Sequence, residues 1–66
     1  MHIRLNGDPR ELPGPISVRD LLVDLGIDAR IVAVELNRKV IRRDRHADTV
    51  VSDGAEVEIV AFVGGG

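Results

Sequence analysis

Residues 56–66 read EVEIVAFVGGG, an alternating run that passes directly into three glycines. Successive side chains of a strand point to opposite faces, so Val57, Ile59, Ala61 and Val63 share one face and Glu56, Glu58, Val60 and Phe62 the other. The first set is apolar throughout and predicts contact with a core. The second is acidic in its first half and apolar in its second, so the outward face turns hydrophobic where the glycines begin. Val60 and Phe62 either cover a satellite core under residues 42–51 or form an exposed patch of the kind that marks a protein partner. Gly64, Gly65 and Gly66 have no Cβ, and three such residues form a thin arm that spans roughly 10 Å when extended. A frayed end has the same composition. Placement directly after an apolar strand favours a working tail, with a folded domain over 1–63 and a flexible glycine tail over 64–66.

Reading back from this strand, Ser52-Asp53-Gly54 is a turn and Thr49-Val50-Val51 an edge segment. Residues 42–48 are polar and predict a loop or a single helical turn. IVAVEL at 31–36 is rich in β-branched residues, and Asn37-Arg38 turns it toward Val40-Ile41. In SVRDLLVDLG, residues 17–26, Ser17 is placed as an N-cap with Asp20 three residues later, and Gly26 stands at the C-terminal stop. Val18, Leu21, Leu22 and Leu25 line one helical face between them. Pro13-Gly14-Pro15 stops a short strand near Arg10 to Leu12, because neither proline can donate to a ladder. His2 to Leu5 alternates polar and apolar and is followed by the hairpin signal Asn6-Gly7. The fold class is α+β, a mixed four- to five-stranded sheet with one main helix on one face. Val18, Leu21, Leu22 and Leu25 are expected to pack against Ile3, Leu5, Val32, Val34, Val57 and Ile59.

Composition narrows the function. A chain of 66 residues buries only about 60% of its unfolded surface, which allows one small core. Phe62 is the sole aromatic residue, so base stacking on aromatic platforms is poorly supported and no nucleic-acid partner is expected. No cysteine is present, which removes thiolate nucleophiles and cysteine-based zinc sites. Apolar stretches fall far short of a membrane span and no leader pattern precedes the domain, so a cytoplasmic protein is expected. Nothing resembles a nucleophile–base pair, and a non-enzymatic role is expected.

One helix between two pairs of strands, with a last strand leading into Gly-Gly, resembles the β-grasp family of ubiquitin-like sulfur carriers. The likeness covers the whole chain: IRLNG, SVRDLLVDLGI, VAVELN leading into VI, and DGAEVEIVAFVGGG. The terminal VGGG and the asparagine after VAVEL look most like the thiamine-biosynthesis carriers. The molybdopterin-synthase small subunit shares the fold and the Gly-Gly end, but is usually longer. The resemblance implies that an activating enzyme uses ATP to adenylate the Gly66 carboxylate. A persulfide donor such as a cysteine desulfurase then supplies sulfur indirectly, and the resulting thiocarboxylate serves thiazole synthase. It further implies that Gly64, Gly65 and Gly66 enter the partner's active site. The switch from glutamates to apolar residues makes Val60 and Phe62 the expected docking patch, and no bound cofactor is expected. The free protein is expected to be a monomer.

His2 and His46 lack metal-ligand spacing and are expected at the surface, with no metal site. Arg38, Lys39, Arg42, Arg43 and Arg45 put five bases within eight positions of a chain whose net charge is −2. Three readings remain for this segment: solvated loop charge, steering toward an acidic partner, and an RNA-binding or other interaction module whose glycines do no chemistry.

Overall fold

The computed structural model describes residues 1–62; Val63, Gly64, Gly65 and Gly66 lie outside the described residues. In chain order the strands and helix are β1 (His2–Leu5), β2 (Asp8–Glu11), β3 (Ile16–Ser17), α1 (Val18–Leu25), β4 (Val32–Leu36), β5 (Lys39–Ile41), β6 (Val50–Val51) and β7 (Glu56–Ala61). Single 3₁₀ turns at Ala29–Ile31 and Arg43–Arg45 complete the set.

Two hairpins build the flanks of the main sheet. Asn6 and Gly7 both take positive φ, 51° and 84°, as do Asn37 and Arg38 at 51° and 70°. Two consecutive left-handed residues match the twist of antiparallel strands, so each pair closes a two-residue hairpin. β2 begins two residues before the expected Arg10, because the tight turn pairs Leu5 with Asp8 at once. Pro9 is tolerated there since β2 is an edge strand. The sheet order is β2-β1-β7-β4-β5, with β7 parallel to β1 and antiparallel to β4. This five-stranded mixed sheet with a helix across one face is the β-grasp arrangement.

The ends of α1 are held as the sequence indicates. Ser17 Oγ accepts from the Asp20 N–H at 3.0 Å. At the other end Gly26 adopts φ 71°, its N–H bonds the Val23 carbonyl at 3.0 Å, and the Ile27 N–H bonds the Leu22 carbonyl at 2.9 Å. That pair of bonds is a Schellman stop, which only a residue comfortable at positive φ can make cheaply.

The helix face meets the sheet as expected: Val18, Leu21 and Leu22 are buried together with Ile3, Val32, Val34 and Val57, while Leu5, Leu25 and Ile59 are half-buried against them. Leu12, Val51 and Ala55 also enter the core, although Leu12 and Val51 lie on segments read only as a strand end and an edge, and Ala55 falls between a turn and a strand. Val51 gets there through an unexpected two-residue ladder, in which β3 pairs antiparallel with β6 as Ile16 opposite Val51. So short a strand has no periodicity to read.

Leu22 is 2% exposed beneath the sheet. Leu22→Ala is expected to cost about 2–5 kcal/mol, measured by urea denaturation. A loss below about 0.5 kcal/mol, the size of a surface substitution, contradicts this packing.

Candidate functional site

β7 delivers the chain to its glycines, and its placement depends on both hairpin tips. β1 pairs with it over only Arg4 opposite Glu56 and Leu5 opposite Val57 before turning away. The Asn6 side chain then continues the ladder: its Oδ1 accepts from the Ile59 N–H at 2.7 Å and its Nδ2 donates to the Ile59 carbonyl at 3.2 Å. At the start of β7, Asn37 Oδ1 accepts from the Glu56 N–H at 2.9 Å and the Asn37 N–H donates to the Glu56 carbonyl at 2.7 Å. On the β4 side the ladder runs past Val32 opposite Ala61, since the Phe62 N–H donates to the Ile31 carbonyl at 2.8 Å.

Register puts Val60 opposite Ala33 and Glu58 opposite Glu35 on the face away from α1. The acidic half of that face carries Glu35, Glu56 and Glu58, with Arg38 Nε 3.5 Å from Glu56 Oε1. The apolar half is open: Val60 is 54% exposed, Phe62 62% and Val40 68%. Neither Val60 nor Phe62 covers a satellite core, because both stay more than half in solvent while Val51 and His46 are buried. The docking role of the two residues is a separate matter from their exposure.

Beside Phe62 lies a concavity of about 280 Å³ whose wall includes Val40, Ile41, Arg30, Arg42 and Arg43. Arg30 is committed to Asp28, with Nη2 2.9 Å from Oδ2, and the Asp28 carboxylate also caps the adjoining 3₁₀ turn through the Arg30 N–H. Those bonds, the side-chain one foremost, lower the Asp28 carboxyl from 3.8 to about 2. On the opposite side of the end of β7 a groove of about 490 Å³ is lined by Leu5, Leu25, Ile27, Ile59 and Ala61.

His2 is exposed, as expected, but His46 is not: it is 4% exposed, and its Nε2 donates to the Ile41 carbonyl at 3.1 Å. Its main-chain carbonyl accepts from the Arg19 N–H, so this histidine ties the basic segment to the start of α1. The sequence signal for it was faint, one imidazole in a run of charged side chains. Among the described residues no group of three or more His, Asp or Glu side chains is placed to hold a metal ion. Also among them, no helix is long and apolar enough to cross a membrane. The predicted working residues Gly64, Gly65 and Gly66 lie outside the described residues.

The fold and this strand end define a small ubiquitin-like domain. A model of the ThiS family matches residues 3–66. Sulfur carrier protein ThiS of Bacillus subtilis is 35% identical over 65 residues, which cover 97% of this chain and 98% of that protein. The crystal structure of the thiamine biosynthesis protein ThiS from Geobacter metallireducens matches with a TM-score of 0.89 at 39% identity, covering 100% of both chains. A thiazole synthase of Paramagnetospirillum magneticum is 42% identical over 66 residues, which are 100% of this chain and 20% of that protein. The chain thus spans about 20% of the length of the thiazole synthases it matches. It belongs to the ThiS family of ubiquitin-like, β-grasp sulfur carriers.

With 62% of its surface in solvent, Phe62 contributes little to folding. Phe62→Ser should change the free energy of unfolding by less than about 0.5 kcal/mol. A loss above about 2 kcal/mol on chemical denaturation would place the ring in the core instead.

Proposed function

We propose that this chain is a cytoplasmic sulfur carrier for assembly of the thiazole ring of thiamine, a protein cosubstrate whose reacting group is the Gly66 carboxylate. The observation that carries this reading is the family match, which runs through residue 66 on a chain with no cysteine. A carboxylate is a poor acylating agent because its negative charge resists attack and oxide is a poor leaving group. An activating enzyme therefore joins it to AMP from ATP, releasing pyrophosphate and leaving a mixed anhydride. A persulfide sulfur attacks the anhydride carbonyl, AMP departs, and an acyl disulfide remains. A second thiol then takes the donor's sulfur into a disulfide, which frees the Gly66 thiocarboxylate.

The thiocarboxylate stores sulfur as a nucleophile, and thiazole synthase is the acceptor in this reading. Support comes from the synthases of two bacteria that contain a stretch similar to this entire chain. Joining two modules in one polypeptide raises their effective concentration for each other, which suits domains that must meet in every cycle. Family membership favours this pathway over that of the molybdopterin-synthase small subunit. Three consecutive residues without Cβ let the carboxylate approach a nucleotide closely, and Val60 with Phe62 supplies an apolar surface for docking at the root of that arm.

With the cognate activating enzyme and ATP, the wild-type chain should support pyrophosphate exchange, and the chain lacking Gly65 and Gly66 should support none. Equal exchange by both rules out carrier chemistry at Gly66. Gly65→Val should lower the exchange steeply while leaving thermal unfolding unchanged.

A further inference from the structure

The concavity beside Phe62 has an unusual combination of walls for so small a protein. Ala33, Val40, Ile41 and Phe62 give it apolar surface, while Arg42 and Arg43 bring two cations to its rim. The cations are available. Arg42 Nε lies 3.5 Å from Asp44 Oδ1 in a pair with both side chains largely in solvent, the sort of contact that holds its partner weakly. Arg43 makes no ion pair among the described residues. Their backbone is not free to drift, since the Arg45 N–H bonds the Arg42 carbonyl at 2.9 Å and buried His46 anchors the segment to Ile41 and Arg19.

Resting on the carrier reading, we propose that this concavity is the electrostatic half of partner recognition, where Arg42 and Arg43 receive an acidic side chain set beside an apolar one on thiazole synthase. Ala33 in the apolar wall lies opposite Val60 in the sheet, so one partner surface covers both the concavity and the Val60 patch. Charge on the sheet face selects protein over nucleic acid. Glu35, Glu56 and Glu58 occupy the other half of the same face, and they repel a phosphate backbone laid across it. A protein surface can match an acidic half, an apolar middle and a basic corner with three different side chains. Guanidinium groups suit the task because they bind carboxylates through two parallel hydrogen bonds.

The test is titration of the full chain with the thiazole synthase of the same organism, at low and at high salt. The double variant Arg42→Glu/Arg43→Glu should bind about 10–100-fold more weakly at low ionic strength. The gap should close toward 1 M salt, where the screening length falls to about 3 Å. Arg42→Lys/Arg43→Lys should keep the salt dependence and lose part of the affinity. If the double reversal does not fold, Arg43→Gln serves, with an expected loss of about 3–10-fold at low salt. Unchanged affinity in a folded charge variant overturns the proposal, as does a loss that is the same at every salt concentration. Tighter, Arg42- and Arg43-dependent binding of a single-stranded RNA oligonucleotide than of the synthase also overturns it. A chain that binds synthase through these arginines yet fails the pyrophosphate test refutes the carrier chemistry alone.

Discussion

Two asparagine amides hold the central strand of this protein. β7 has no hairpin of its own, and its parallel contact with β1 ends after two residue pairs. Asn6 and Asn37 each sit in a left-handed turn position, which asparagine tolerates better than most residues, and each turns its amide onto β7. Asn6 meets both polar backbone atoms of Ile59, so that a side-chain amide substitutes for the next peptide of β1. Asn37 fixes the N–H of Glu56 at the other end. A one-residue slip of β7 would put Val57 on the open face and Glu58 against α1, so these contacts, with the five-pair ladder to β4, protect the whole hydrophobic arrangement.

From that register the division of the surface follows. Val57 and Ile59 face the helix, and Glu58, Val60 and Phe62 face away from it. The backbone of β7 is bonded on the β4 side as far as Phe62, where the Ile31 carbonyl takes the last N–H. A carrier needs such a support, because docking energy gathered by the domain is useful only if the reacting end is presented from a fixed point. The apolar patch stands at that point, and the basic corner adjoins it.

Legibility in the sequence followed length and period. α1 could be read together with its caps, because a valine at i, leucines at i+3, i+4 and i+7 and a glycine stop leave few alternatives. The hairpins at Asn6-Gly7 and Asn37-Arg38 were legible from turn chemistry, and the acid-to-apolar switch along 56–62 from strand alternation. What escaped depends on contacts distant in the chain. Nothing local marks Ile16 and Val51 as partners, since a two-residue ladder carries no pattern and the pairing spans thirty-odd residues. His46 reads as another polar residue of a charged loop until the fold brings the Ile41 carbonyl to its ring. The amide bonds of Asn6 and Asn37 to β7 are equally invisible, although both residues were already identified as turn formers.

The chemical claim at Gly66 is tested most directly by intact-mass and fragment-ion analysis of the protein isolated from its native host. The account predicts a fraction in which one oxygen has been replaced by sulfur, with the substitution confined to the Gly66 carboxylate and lost when the activating enzyme is deleted. Sulfur found on any other residue, or a Gly66 carboxylate that stays unmodified while thiazole synthesis proceeds, would contradict it.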